Sequence, residues 1–74
     1  MNNDIYQLLY NEEADCYEMD GFRLRSGDCL SVLVWNGLRG QSEWIDTRIE
    51  SGINCWYLVG LVGYQICGLF ARYR

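Results

Sequence analysis

Apolar and polar residues alternate with a period of two through the middle of the chain, which is the pattern of strands that bury one face. In segments 29–35 and 43–50, the residues predicted to share the buried face are Leu30, Val32, Val34, Ile45, Thr47 and Ile49. Segment 36–42 contains two glycines and an Asn-Gly pair, which favours a hairpin connection. The pattern therefore predicts two paired strands joined by a loop over residues 36–42.

Residues 4–19 fit two different structures. A helix would bring several apolar residues near one face and could be capped by Asn3 or Asp4. The alternative is a hairpin with a polar turn over residues 11–14, in which the side chains from Tyr6 to Tyr10 alternate between two faces. We favour the hairpin.

The pair Asp20-Gly21 predicts another turn. After it, Phe22 and Leu24 alternate with two arginines, as in a half-buried strand. Both apolar side chains are therefore predicted to face the core.

The segment from Ser51 to Ala71 carries no formal charge and is long enough for a membrane-spanning helix. A span would leave the amphipathic strands before it without an apolar surface to pack on, and isolated hairpins are marginally stable in water. We therefore predict a turn over residues 51–54, a buried strand over 55–61, a break at Gly63 and a closing strand over 64–73. These two strands are expected to lie at the centre of the sheet.

Together these elements predict one domain over residues 1–74 of a mainly β class. We expect a small curled antiparallel sheet or an SH3-like barrel of about five to seven short strands, with the amino-terminal segment as the one place for a helix. No basic amino-terminal region precedes an apolar run, so a cytoplasmic location and no membrane association are expected.

Charge is distributed unevenly along the chain. Residues 1–20 contain six carboxylates and no cation, whereas the remainder contains six arginines and four carboxylates. An acidic surface repels phosphate groups and attracts basic protein surfaces, so a protein partner is expected and direct nucleic-acid binding is not. The predicted partner-binding residues are Glu12, Glu13, Asp15, Glu18, Asp20 and, in the loop over 36–42, Arg39.

The chain contains four cysteines, Cys16, Cys29, Cys55 and Cys67. They lack the paired Cys-x-x-Cys spacing of common zinc sites, which favours free thiols and no cofactor. The number of cysteines nevertheless suits a tetrahedral thiolate site, and a domain this small would gain stability from a structural zinc ion. Free thiols and a zinc site through all four cysteines both remain open at this point.

Catalysis is not expected from this sequence. It contains no histidine, and no phosphate-binding loop, dinucleotide fingerprint or nucleophile elbow.

Three runs, Gly27 to Val34, Trp44 to Glu50 and Trp56 to Leu61, resemble a family of small uncharacterised domains from Gram-positive bacteria and their mobile elements. The resemblance spans nearly the whole chain and implies no known activity. This chain differs from the family pattern in its longer loop over 36–42 and in its acidic start. A function specific to this chain is expected at these two segments.

The resemblance to mobile-element proteins and the acidic start lead to one specific hypothesis. The protein is predicted to be a phage or mobile-element inhibitor of the anti-CRISPR type, whose acidic surface occupies the basic nucleic-acid-binding region of an RNA-guided nuclease. The alternative is a small-barrel nucleic-acid-binding or accessory module. In that case Trp35, Trp44 or Trp56 would stack on bases, and phosphates would bind Arg23, Arg25, Arg39 and Arg48.

Overall fold

The computed structural model describes residues 4–74, which form eight strands and no helix. The strands are β1 (Tyr6–Gln7), β2 (Leu9–Asn11), β3 (Cys16–Met19), β4 (Phe22–Arg23), β5 (Cys29–Asn36), β6 (Gln41–Ser51), β7 (Trp56–Leu58) and β8 (Phe70–Tyr73). They form a five-stranded sheet in the order β1-β8-β5-β6-β7 and a three-stranded sheet in the order β2-β3-β4. The mainly β prediction is confirmed, and within residues 4–74 neither sheet closes into a barrel.

The longest hairpin, β5 with β6, has the predicted faces. Leu30, Val32 and Ile49 are fully buried, and Thr47 is 4% exposed. The loop is shorter than expected, because Asn36 pairs with Gln41 and only residues 37–40 lie outside the ladder. The strands extend further because nothing in 41–42 prevents backbone pairing.

The core lies between the inner face of the five-stranded sheet and the three-stranded sheet. Its buried residues are Leu8, Met19, Leu24, Leu30, Val32, Val34, Ile49, Leu58, Ile66 and Ala71. The chain passes from one sheet to the other at Leu8, whose N–H donates to Leu69 O at 2.8 Å and whose carbonyl accepts from Gly68 N at 2.7 Å. A fully buried leucine with both backbone groups bonded joins the two sheets.

The amino-terminal segment forms the predicted hairpin, since β2 and β3 are paired antiparallel. The helical alternative for residues 4–19 is wrong for the described part, and Asn3, one of its two proposed caps, lies outside the described residues. Asp20 and Gly21 form the predicted two-residue turn between β3 and β4 with φ of +57° and +76°, as in a type I′ hairpin turn.

The strand predicted after this turn is only partly correct. β4 ends at Arg23, and Leu24 is buried as expected. Phe22 is 67% exposed, so its predicted burial is wrong. Because β4 is at the edge of a small three-stranded sheet, that sheet has no further strand to cover this ring.

The uncharged segment does not supply two central strands, and this prediction is wrong. The central strand is β5, while β7 is an edge strand and β8 starts only at Phe70. Residues 59–69 instead form consecutive turns, in which Gly60 and Gly63 have φ of +80° and +94°. Glycine adopts these angles readily, and each one interrupts an extended strand. Residues 4–74 include no helix of the length and apolarity needed to traverse a bilayer.

Candidate functional site: the acidic three-stranded sheet

The five carboxylates predicted to bind a partner all belong to the three-stranded sheet, which we call the acidic sheet (residues 9–23). Glu12, Glu13 and Asp15 lie in the β2–β3 turn, Glu18 is in β3, and Asp20 lies in the β3–β4 turn. The two turns are joined by the four residues of β3 and are therefore separated by roughly 15 Å. The structure therefore places these carboxylates in the two turns of the acidic sheet and on the strand that joins them.

The β2–β3 turn is held in one conformation by several hydrogen bonds. Asn11 Oδ1 accepts from Ala14 N at 3.1 Å, and the Tyr10 hydroxyl donates to Asp15 Oδ1. Asp15 has φ of +51°, a conformation that Asp adopts more readily than most residues. Its carbonyl accepts from Trp56 Nε1 at 3.0 Å, which ties the turn to β7 of the larger sheet.

The hydrogen bond to Asp15 also changes the acidity of Tyr10. It raises the pKa of Tyr10 to about 12, since ionising the phenol would remove the donor and place two negative charges together. The Tyr10 and Tyr17 rings lie 5.1 Å apart at 58°, and burial raises the pKa of Tyr17 as well. Tyr10 therefore remains a neutral donor to Asp15 at physiological pH.

The side chain of Glu18 is held by a hydrogen bond across the β2–β3 hairpin. Its Oε2 accepts from Asn11 Nδ2 at 3.0 Å across the hairpin, and its backbone pairs with Arg23 of β4. Glu12 and Glu13 are exposed in the turn. Positioned carboxylates form strong hydrogen bonds with guanidinium and ammonium groups, so the arrangement is suited to contacting a basic surface.

Arg39 is far from these carboxylates. It lies in the β5–β6 turn, where its Nη1 contacts Glu43 Oε1 at 3.4 Å. The acidic turn is near the opposite end of β6, because Trp56 pairs with Ser51 there. The eleven residues of β6 span roughly 35 Å, close to the longest dimension of the molecule, 37 Å. Sequence reasoning grouped Arg39 with the acidic residues, but the fold places them at opposite ends.

The four cysteines are not gathered into a metal site. Cys16 is buried, and Cys29, Cys55 and Cys67 are exposed. Among residues 4–74, no group of three or more His, Cys, Asp or Glu side chains is arranged to hold a metal ion. The described residues therefore do not fit a zinc ion bound by all four thiols.

Some tryptophans and arginines of the alternative hypothesis have partners within the chain. The Trp44 ring is covered by the Arg72 guanidinium at 4.1 Å, and Trp56 donates its indole N–H to Asp15. Arg48 Nε contacts Glu50 Oε2 at 3.1 Å. Arg23 lies on the acidic sheet, and Arg25 follows two residues after β4. Trp44, Trp56 and Arg48 are thus engaged within the chain, whereas Trp35 is 63% exposed.

Sequence reasoning missed an exposed apolar groove at the tip of the β5–β6 hairpin. This tip groove encloses about 500 Å³ and is lined by Val34, Trp35, Asn36, Gly37, Leu38, Glu43, Ile45, Leu61 and Tyr64. The one indication in the sequence was a leucine, Leu38, inside a glycine-containing turn. Turns with this composition are otherwise polar, because they are in contact with water.

Residues 6–73, from the first residue of β1 to the last of β8, match the model of a family described as Domain of unknown function (DUF5348). The chain belongs to this family. The chain thus belongs to a family of small uncharacterised domains, as the resemblance predicted. No curated protein and no solved structure matches the chain. Both the acidic sheet and the tip groove lie within the part that matches the DUF5348 family.

Proposed function

We propose that this DUF5348 domain is a non-enzymatic protein-binding module that presents its acidic sheet to a basic surface of a partner protein. The observation that carries the proposal is the placement of five carboxylates on one three-stranded sheet. The hydrogen bonds from Tyr10, Asn11 and Trp56 hold Asp15 and Glu18 in place before binding. A preorganised surface loses less conformational entropy on association than a flexible one.

A basic groove that normally receives nucleic acid is the partner surface that suits the acidic sheet best. Such grooves concentrate positive charge over a length of several phosphates, and a cluster of carboxylates competes for the same charges. An RNA-guided nuclease is our specific candidate, with the domain acting as an anti-CRISPR-type inhibitor encoded by a phage or mobile element. The absence of histidine from the chain supports a binding role over a catalytic one.

The proposal is tested by neutralising two exposed carboxylates of the β2–β3 turn. The double variant Glu12→Gln/Glu13→Gln changes two exposed turn residues and so leaves the fold intact. It should weaken binding to an RNA-guided nuclease at least about tenfold at low salt and reduce the salt dependence, because the removed contacts are electrostatic. Binding is measured by titration calorimetry at several salt concentrations, and inhibition by cleavage of a target DNA.

A matched control adds the same charge at the opposite end of the molecule. The double variant Gln41→Lys/Ser42→Lys also raises the net charge by two, at exposed positions of β6. It should bind with nearly wild-type affinity. Failure of the wild-type domain to bind or inhibit rejects the nuclease as partner, and equal effects of the two double variants reject the acidic sheet as the contact surface.

A further inference from the structure

The tip groove presents apolar side chains to water at the end of a well-ordered hairpin. Leu38 is 100% exposed, Trp35 63% and Tyr64 49%. The neighbouring Val62 is 77% exposed. Single exposed apolar residues are ordinary, but several around one groove mark an interaction surface.

The turn that carries Leu38 is fixed rather than loose. Asn36 Oδ1 accepts from Leu38 N at 3.0 Å and from Arg39 N at 3.3 Å, and Asn36 O accepts from Gly40 N at 2.8 Å. Asn36 Nδ2 in turn donates to Glu43 Oε1 at 3.3 Å, the same atom that Arg39 contacts. These hydrogen bonds hold the turn in the conformation that exposes Leu38.

The charges around the groove indicate which partner it fits. Glu43 lines the groove and contacts Arg39 at 3.4 Å, so a two-fold axis passing between these two residues would bring each arginine to the glutamate of the other copy. The acidic sheet, which would repel a second copy, is roughly 30 Å away along β6. We propose that the tip groove is where two copies of this chain associate, with Leu38 and Trp35 packed across the axis.

Because the contact is confined to one hairpin tip, we expect it to bury less than the roughly 800 Å² per partner of a standard interface and to be weak, with a dissociation constant on the order of 0.1 mM. Sedimentation equilibrium over a range of concentrations measures this dissociation constant.

Leu38→Glu places a charge at the fully exposed centre of the contact and should leave the chain monomeric. Ile53→Glu is the matched control, since Ile53 is 99% exposed but lies next to Asp15 and Trp56 at the other end of the molecule.

Exchanging the charges of Arg39 and Glu43 tests whether these residues pair between two copies or only within one copy. Arg39→Glu and Glu43→Arg each break the internal ion pair and place like charges across the two-fold axis, so each variant alone should dimerise at least about tenfold more weakly. In an equimolar mixture, every heterodimer regains both opposite-charge pairs across the axis while both internal pairs stay broken. The mixture should therefore associate within about threefold of the wild type.

A wild-type chain that remains monomeric up to about 1 mM overturns the proposal, as does a mixture no more associated than the separate variants. Dimerisation that Ile53→Glu weakens as much as Leu38→Glu also overturns it. Glu12→Gln/Glu13→Gln should leave the dimer intact, so failure of the acidic sheet as a partner surface and failure of the tip groove as a dimer contact are distinguishable.

Discussion

Individual hydrogen bonds determine how the polar residues of this small domain are held. The Tyr10 hydroxyl and the Trp56 indole both bind Asp15, one through its carboxylate and one through its carbonyl. Thr47, one of two buried polar residues among those described, donates to Val59 O at 2.7 Å. In a domain of 74 residues the net stability is small, so single bonds of this kind are a measurable part of it.

Tyr10 should make the domain less stable at alkaline pH. Its pKa is raised to about 12 in the folded chain, so the bond to Asp15 contributes fully below about pH 10, the unfolded value, and is lost as pH rises towards 12. Urea unfolding between pH 8 and 12 should show this fall, and Tyr10→Phe should reduce its slope. Tyr64→Phe, at an exposed tyrosine, is the control, and an equal change in slope from both variants would contradict the assignment.

Thr47→Val should destabilise the domain by about 1–2 kcal/mol, because it removes the donor to Val59 O while keeping the shape of a buried side chain. The free energy of unfolding by urea measures the effect. Thr47→Ser keeps the hydroxyl and should cost less. If the serine variant is the less stable of the two, the methyl group rather than the hydrogen bond is what matters at this site.

At the scale of elements, the five-stranded sheet ends in two very short strands, β1 with two residues and β7 with three. Short edges limit pairing with other chains through the backbone. The outer face of this sheet is partly closed by the Arg72 and Trp44 contact at 4.1 Å and by the bond from Ser31 to Asp46. The acidic sheet is hydrogen-bonded to the β7 edge through Trp56, so the two sheets are connected at this point.

Trp56→Phe should selectively destabilise the β2–β3 hairpin of the acidic sheet. It removes the donor to Asp15 O but keeps an aromatic ring in β7, so the expected loss is about 1 kcal/mol in unfolding free energy. Amide hydrogen exchange should rise most in residues 11–16, as expected for local opening. Trp35→Phe, at the tip of the other hairpin, should leave exchange in these residues unchanged, and uniform acceleration across the chain in Trp56→Phe would contradict a local role.

At the scale of the whole molecule, the carboxylates concentrated early in the sequence also lie together on one part of the folded domain. The acidic residues that follow Leu8 form a sheet of their own, whose β2–β3 turn lies at the end of β6 farthest from the tip groove. One molecule thus carries an acidic surface suited to a basic partner and an apolar surface with balanced charge. The separation would allow both proposed contacts to form at the same time.

The whole domain should fold without a metal ion, because the described residues do not bring its four cysteines together. Metal analysis after purification without added zinc should give a stoichiometry near zero, and a chelator should leave the thermal midpoint unchanged. A quadruple Cys→Ser variant is a poor control because Cys16 is buried, so Cys29→Ser/Cys55→Ser/Cys67→Ser is preferable. Bound zinc lost in this triple variant would contradict the prediction.

The sequence by itself determined the elements whose pattern is local. Alternation predicted the buried faces of β5 and β6, and turn chemistry predicted the hairpin at Asp20-Gly21, because a period of two and a left-handed turn are decided by adjacent residues. The grouping of five carboxylates could also be predicted, since they lie within nine consecutive positions of the chain, and their role in binding stays a prediction.

Only the tertiary structure decided which apolar residues are buried and which residues meet. The apolar segment from 51 to 71 was predicted to be the centre of the sheet, yet β5 took that place, because an eight-residue strand free of glycine pairs with neighbours on both sides. Phe22 and Leu38 are exposed although their residue types favour burial, since no layer covers them. The separation of Arg39 from the acidic sheet likewise depends on strand length and pairing, which are properties of the assembled sheet rather than of any local run of residues.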